Sequence, residues 1–582
     1  MAKHLKFDVE AQREILAGFD EVADAVGATM GPRGQTVVLS RPAGAPLVTK
    51  DGVTVARDIV LANRWRNEGA KLIQQVAQQT NTEAGDGTTA ATVLARALFR
   101  EGLKRVAAGA DRRAVERGIA SAVGAAVAAL RELATPVDRN DLAMLTHVAT
   151  VAANGDEAIG RVIAEAVQGV GLEGVITLDQ SPTAETTFQI AEGMQFERGM
   201  IAPIFMTHPT AREARYAPCN VFVTDRRMID DRQMFEFLQA YVAKAGKTPL
   251  LIVAEDCEGA ALQMLATNQG KSIWVVPVRT PGAGQGKKEE IEDIAIFCGA
   301  KPYMVQTGDD PAKLDLAHLG SADEVRVSQH RTTIIGGHGA KLRLEARQEE
   351  LRAALREPEI KDFVKAQLER RLAMLTASVA VIKIGANVHS KLLEKRDRVE
   401  DSVNATLGAL KEGVVPGGGA ALTRCLPAVE RFAARCEGDE RVGALIVARA
   451  LTVPLECIAA NAGANAAEVV RCVRALGGDL APVWWAQWMP LELLHRLRPE
   501  QAILRAGLPL RDAVRWGYDA SCDRYTHLPG AGILDPAKVV RMSLENAAEL
   551  AGLMLTMAAL NVELPEGMAV PAGPGLPVVA RG

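Results

Sequence analysis

The sequence predicts a multidomain chain in which a helical domain, built from both chain ends, encloses a layered α/β module. Three observations carry this expectation. At 582 residues the chain exceeds what one hydrophobic core supports, and its length corresponds to roughly two to four domains. Both ends read as long helices, with apolar residues recurring at three and four. Between residues 192 and 376 the texture changes to short β-branched runs alternating with helices, the pattern of a layered domain.

Taken in order, helices are expected at Ala11–Thr29, Glu68–Ala84, Thr88–Gly109 and Arg113–Leu133. Short mixed segments follow over 136–191. Strands are expected at Asn220–Thr224, Pro249–Ala254, Ile273–Val278 and Thr332–Ile335. A charged helical stretch, Ala346–Leu375, precedes a strand at Val379–Ile384. Helices return from Ser390, through Val442–Ala460 and Asn546–Leu560, and the Pro/Gly-rich tail Pro565–Gly582 reads as disordered.

Composition narrows the function classes. Apolar residues at 48% and charged residues at 24% exclude wholesale disorder. A net charge of −4 argues against a basic surface over the whole molecule, so no nucleic-acid partner is expected. Aromatics are only 4% and glycines number 52. The core must therefore be Ala, Val, Leu and Ile, with glycine serving turns, hinges or phosphate loops. Four of the six tryptophans, Trp484, Trp485, Trp488 and Trp516, crowd one stretch. The eight cysteines show no paired zinc spacing, and reduced thiols of a cytoplasmic protein are expected. Charges stand where a signal peptide needs apolar residues. The longest apolar runs, such as Leu550–Leu560, fall short of the ~18–20 residues of a membrane span, so no membrane partner is expected.

The sharpest local signal is Ala84-Gly85-Asp86-Gly87-Thr88-Thr89, opening a long helix. Glycines let backbone N–H groups approach an anion, and a helix N-terminus adds positive partial charge. Asp86 offers a hard oxygen to Mg²⁺, and Thr88 and Thr89 offer hydroxyls to phosphate. An Asp or Thr N-cap after a glycine turn explains this segment equally well. Two further glycine loops are Thr29-Met30-Gly31-Pro32-Arg33-Gly34, followed by Thr49-Lys50-Asp51-Gly52, and Val415-Pro416-Gly417-Gly418-Gly419, after Arg398-Val399-Glu400-Asp401. Three such loops with Asp51, Asp86 and Asp401 outline a Mg-nucleotide site: cradles, a metal ligand and a carboxylate for the attacking water. Gly282 to Lys288 mimics a phosphate loop but lacks the required spacing and hydroxyl. Met234, Phe235, Phe237 and Leu238, and later Leu262, Met264 and Leu265, form apolar stripes. Core packing is the default for them, and an exposed groove for partner segments is the sharper alternative.

These segments resemble a GroEL-type group I chaperonin over essentially the whole length. The matching runs are TMGPRG (29–34), TKDGVTVARDI (49–59), AGDGTT (84–89), EGMQFERG (192–199), VAEDCEG (253–259), RVED (398–401), EGVVPGGG (412–419) and GILDP (532–536). The resemblance implies an α-helical equatorial ATPase domain, 1–135 and 412–582, with an insertion at about 480–514. It also implies a small α/β intermediate domain, 136–191 and 378–411, and an α/β apical domain, 192–377. Its implied activity is ATP-dependent folding of non-native polypeptides in a ring cavity closed by a GroES-type lid. ATP and Mg²⁺, with K⁺ as a further option, would be the cofactors. A homo-oligomeric seven-membered ring, two of them stacked, would be the assembly.

Carried over by position, Thr29, Met30, Gly31, Pro32, Lys50, Asp86, Gly87, Thr88, Thr89 and Ala90 would contact phosphates and metal, with Asp86 the metal ligand. Asp51 and Asp401 would be catalytic, orienting or activating water. Gly418, Asp519, Ala520, Ser521 and Asp535 would hold base and ribose. Met200, Ile201, Ile204, Phe205, Phe235, Leu238, Leu262, Ala266 and Thr267 would form the substrate surface.

The sequence departs from the family pattern at five places. Met200, Ile204 and Thr267 make the apical groove less aromatic or less apolar. Gly193 is kept at the upper hinge, but a Gly-Gly pair is replaced by Ala377-Ser378, which predicts a stiffer swing. Glu456, Ala464 and Asn465 alter the expected ring-to-ring contacts. The Trp-rich insertion Leu480–Val514 precedes Asp519, itself in place of an Asn. The Gly-Met-rich tail is absent. These departures motivate an alternative, a holdase-type paralogue that binds unfolded chains with altered ATP cycling.

Overall fold

The computed structural model describes residues 3–40, 46–153, 155–171, 174–181, 183–208, 212–282, 286–304, 318–356, 362–386, 389–476 and 514–563. The chain divides into two compact units. One comprises Met1–Ala164 with Ala386–Gly582, and the other is the continuous segment Glu165–Gly385.

The first unit is helical and made from both chain ends. Strand Lys3–Phe7 pairs antiparallel with strand Ala559–Glu563. The amide of Gln12, fully buried, donates to the carbonyls of Leu555 (2.9 Å) and Met554 (3.2 Å). The expected helices are present at Asp8–Gly27, Arg64–Ala84, Thr88–Ala107 and Arg112–Leu133. In the last of these, Val115, Ile119, Ala122, Val123, Ala126, Val127 and Leu130 form one buried stripe, and Asp111 caps its start by accepting from the Ala114 N–H. With so few aromatics, the core closes by letting helices approach closely. A methyl group on Gly118 would collide with the Glu440 carbonyl oxygen, and one on Gly443 with that of Val115. Gly18 and Gly69 stand in the same relation to Arg66 and Ile15. Part of the glycine excess therefore serves helix crossings, not the loops and hinges expected for it.

Two helices differ from their sequence expectation. The helix expected at Val442–Ala460 is two helices, Gly438–Ala450 and Val453–Asn461, the second beginning with Pro454 in its first turn. Together this run is long and apolar enough to cross a membrane on composition alone, but most of it is buried inside the unit. The last helix spans Ala537–Leu555 and stops earlier than expected. The following Ala559–Glu563 buries Leu560 and Val562 in alternation, as a strand does. Helix Leu142–Ala152 packs against His389–Glu412, where the Ser402 hydroxyl donates to the Ala149 carbonyl at 2.7 Å.

The second unit is built on a nine-stranded mixed sheet. Its order is Val275–Arg279, Leu250–Ala254, Cys219–Val223, Leu319–Val327, Thr332–Gly337, Thr187–Phe196, Ser378–Ile384 and Val175–Gln180, with Ala214–Tyr216 paired to Leu319–Val327. The first three run parallel, and Leu250–Ala254 is buried at every position, as a continuous apolar run in a parallel strand should be. The expected strands lie within a residue or two of their predicted places. The charged stretch is two helices, Lys341–Leu355 and Asp362–Thr376. At the expected hinge, the Gly193 N–H donates to the Ala377 carbonyl at 3.3 Å. A side chain at Gly193 would collide with Val379, so glycine is required there by close approach. Ser378 opens the strand Ser378–Ile384, and neither Ala377 nor Ser378 takes the left-handed conformation that glycine would permit.

The Trp-rich insertion and the tail lie outside the described residues. Residues flanking the insertion do not: the Arg424 guanidinium donates to the carbonyls of Val473, Val514 (3.2 Å) and Trp516 (2.7 Å). Arg424 thus ties Val473, in the helix before the insertion, to Val514 and Trp516 at its far side.

Gly118→Val is expected to destabilise the protein by about 1–3 kcal/mol through overpacking. Gly124, on the same helix with open space around it, provides the contrast: Gly124→Ala should raise stability by about 0.5–1 kcal/mol. Denaturant melts of both variants check the pair.

Candidate nucleotide site and apolar surface

The candidate nucleotide site lies within the helical unit. Helix Arg64–Ala84 ends at Gly85 in the left-handed region (φ 75°), and Gly87 takes the same conformation (φ 81°) as the N-cap of Thr88–Ala107. An Asp or Thr cap is not what the structure shows. Gly87 has no side chain to accept from the first turn, so the N–H groups of Thr88, Thr89 and Ala90 are left open at the positive end of the helix. Asp86 is turned back, its Oδ1 accepting from the Gly87 N–H at 2.5 Å.

Three neighbours press on this turn. Asp51 caps helix Gly52–Asp58 by accepting from Val53 (3.2 Å) and Thr54 (2.8 Å). A methyl on Gly52 would run into the Thr89 hydroxyl, which brings the Asp51 turn against the start of the helix. On the other side Gly85 meets Asn404, on the helix that holds Asp401. Ser543 donates to the Gly87 carbonyl at 3.0 Å.

The result is a crowd of carboxylates. Burial raises the Asp401 carboxyl well above the usual range, and Asp86, Asp51, Glu400 and Asp397 push it further. Asp86 is raised by burial and by Asp51, against the Gly87 N–H that lowers it. Asp535 is pushed up to about 7, by burial and then by Asp86, although the Gly418 N–H opposes the shift. Asp397 is raised to about 6 by burial, then by Asp51 and Glu400, with Arg396 and Arg57 opposing. Asp397 was missed by sequence reasoning. Its signal was available: it lies four residues before Asp401 on one helix, hence on the same face.

Among the described residues, no group of three His, Cys, Asp or Glu side chains is arranged to hold a metal unaided. Mg²⁺ takes one or two protein carboxylates and completes its shell from phosphates and water. Asp86, beside the open N–H groups, is the residue suited to it.

The loop Thr29–Gly34 lies on the same unit. Thr29 donates to the Val26 carbonyl at 2.8 Å, and Gly31 is left-handed (φ 83°). Asn461 donates to the Gly27 and Met30 carbonyls, both at 2.9 Å. Lys50 and Asp51 follow strand Leu47–Thr49. Pro32 sits in the loop after Gly31. Strand Val414–Pro416 pairs with Leu534–Pro536, placing Val415 opposite Asp535 and leading into Gly418. Asp519 is nearly buried, and its Oδ1 accepts from the Ser521 N–H (2.9 Å) and hydroxyl (2.5 Å). In place of an Asn, it shapes its own turn. Arg33 donates to the Ser521 carbonyl at 2.9 Å, tying the first loop to the one holding Asp519, Ala520 and Ser521. Glu456 is engaged within the chain by Arg449 and by the Thr452 hydroxyl (2.8 Å). All eight cysteines are free.

The expected substrate residues all lie in the α/β unit, but not all at its surface. Phe205, Leu238 and Met200 are buried in its core. Ile201, Leu262 and Ala266 are half-buried. Ile204 and Phe235 are 59% and 57% exposed, and Thr267 is exposed with its hydroxyl bonded to the Gln263 carbonyl. The stripe at 234–238 is therefore divided: Met234, Phe237 and Leu238 pack inward, with the Phe237 ring 4.7 Å from Phe222, while Phe235 points out.

Fold and family together define a chaperonin. The chain belongs to the TCP-1/cpn60 chaperonin family, which matches residues 22–560. It is 40% identical over 566 residues, 97% of this chain and 92% of the other, to Chaperonin GroEL 1 of Rhodopirellula baltica, and it is a GroEL-type chaperonin. The fold is also that of the chaperonin gp146 from bacteriophage EL 2 of Pseudomonas aeruginosa, solved in the presence of ATP-BeFx. Two crystal forms give TM-scores of 0.65 and 0.60 at 23% and 22% identity, covering 96% of this chain and 99% of that one.

The Asp397 shift gives a pH prediction. With its folded-state pKa raised, Asp397 opposes folding increasingly as pH rises from about 4 to about 6, and fully above that. Asp397→Asn should therefore match the parent at pH ~4 and exceed it by on the order of 1–2 kcal/mol above pH ~6.5. Nucleotide-free thermal melts across that range check it.

Proposed function

We propose that this chain hydrolyses ATP and uses the cycle to capture and release non-native polypeptides. The observation that carries this reading is the open, glycine-capped N-terminus of Thr88–Ala107 ringed by Asp51, Asp86 and Asp401. Bound Mg²⁺ would neutralise phosphate charge and polarise the terminal phosphoryl group. The N–H groups of Thr88, Thr89 and Ala90 would hold phosphate oxygens, with Thr29–Pro32 and Lys50 completing the cradle. Asp86 would hold the metal. Asp51, fixed by two backbone N–H groups, would orient the attacking water, and Asp401 would accept its proton. Gly418, Asp519–Ser521 and Asp535 would bound the base and ribose. Crowded carboxylates repel one another until cationic charge arrives, which favours binding of the metal–nucleotide complex over bare nucleotide.

The capture surface is centred on the exposed Ile204 and Phe235, with Ile201, Leu262, Ala266 and Thr267 at its margin and Met200, Phe205 and Leu238 supporting it from within. The domains are equatorial (1–135, 412–582), intermediate (136–191, 378–411) and apical (192–377). The assembly is a seven-membered cytoplasmic ring, stacked in pairs and closed by a GroES-type lid, with K⁺ as an accessory ion.

Asp401→Ala should lower the rate of phosphate release by about 10²-fold or more with nucleotide affinity retained. Asp86→Ala should instead raise the Mg²⁺ concentration needed for half-maximal activity. Phosphate release by assembled protein, measured with Mg-ATP, tests both, and no release by the unmodified protein would overturn the reading.

A further inference from the structure

The α/β unit has a second surface feature that the apolar capture reading does not use. A cavity of about 460 Å³ is lined by Glu197, Arg198, Met200, Ile201, Arg279, His330 and Arg331. One wall is the hairpin tip Ser328–Arg331, between strands Leu319–Val327 and Thr332–Gly337. That tip is braced: the Ser328 hydroxyl accepts from the His330 and Arg331 N–H groups and donates to the Arg331 carbonyl. The opposite wall is locked to it, with Thr332 donating to the Arg198 carbonyl at 2.6 Å and the Met200 N–H donating to the Ser328 carbonyl at 2.9 Å. Gly199 leaves no room for a side chain against Gln329. Charge on the lining is one-sided: three arginines face a single glutamate. Of the arginines, Arg279 is partly engaged by Asp256 at 3.0 Å. The lining is continuous with the capture surface through Met200 and Ile201.

We propose that this cavity is a specificity site, taking an Asp or Glu side chain of a captured polypeptide beside the apolar residues held at Ile201 and Ile204. The occupant follows from charge complementarity: guanidinium groups pair with carboxylates in forked geometry, and the Met200 and Ile201 side of the cavity suits the neighbouring apolar residue. The site thus selects apolar segments flanked by acidic residues. This rests on the capture reading above, and the test separates the two.

Full-length protein is titrated with two short fluorescein-labelled peptides of identical apolar sequence, one flanked by glutamates and the other by lysines. The glutamate peptide should bind roughly fivefold to tenfold more tightly. That preference should vanish in the double variant Arg198→Gln with Arg331→Gln, and at high salt, while binding of the lysine peptide stays unchanged. Equal binding of both peptides by the unmodified protein, or a preference that survives the double substitution, overturns the proposal. A double variant with altered oligomeric mass and intact preference also overturns it, assigning the arginines to a contact between copies. Phe235→Ser reports on the capture reading alone: it should weaken both peptides equally, and no loss with either peptide would sink that reading whatever the charge preference.

Discussion

Three elements can meet at one helix start only because the residues at the crossing points have no Cβ. Gly85 lies against Asn404, Gly87 against Ser543, and Gly52 against Thr88 and Thr89. A methyl group at any of them would hold the Asp51 turn, the helix of Asp397 and Asp401, or the C-terminal helix away from the open N–H groups. The rest of the site follows from this approach. The same crowding raises the carboxyls of Asp86, Asp397, Asp401 and Asp535 together, since each is both desolvated and near another negative group. Such an arrangement is unfavourable by itself and becomes favourable around a cation, as a site for a metal–nucleotide complex requires.

Much of this was legible in the sequence, for identifiable reasons. The glycine-flanked Asp86, and the order of the loops around Asp51, Asp401 and Gly418, are local and survive without knowledge of packing. Strand runs such as Leu250–Ala254 announce themselves because total burial requires an unbroken apolar run. Asp397 forms no motif: its spacing from Asp401 places both on one helix face, but only the packing of that helix near Asp51 shows the two carboxylates in one crowd. The choice between a capping Asp and an open helix start depends on the left-handed Gly87, which composition does not report. Phe205 and Phe235 look alike as apolar residues, and only the direction of each side chain separates core from surface.

The two units use charge in opposite ways. In the helical unit, acidic side chains converge with few cations near them, and the unbalanced charge suits a bound cation. In the α/β unit, arginines are mostly neutralised, as where Arg371 and Arg347 both bond the fully buried Asp293 at 2.6 and 2.8 Å. Against that background of paired arginines, the rim of Arg198 and Arg331, beside an Arg279 shared with Asp256, stands out as a place where cationic charge is in excess.

The pairing of Lys3–Phe7 with Ala559–Glu563, and the Gln12 bonds to the end of the last helix, set an order of events during synthesis. The α/β unit is one uninterrupted segment and can complete its sheet as soon as it leaves the ribosome. The helical unit cannot: its first strand must wait for its last, across an interval of about 30–110 s at ~5–20 residues per second. During that wait the early helices can pack on one another, but Thr88–Ala107 and Arg112–Leu133 lack their partners Ala537–Leu555 and Gly438–Ala450. The helical unit of this chaperonin is thus completed only when its last strand arrives to pair with its first.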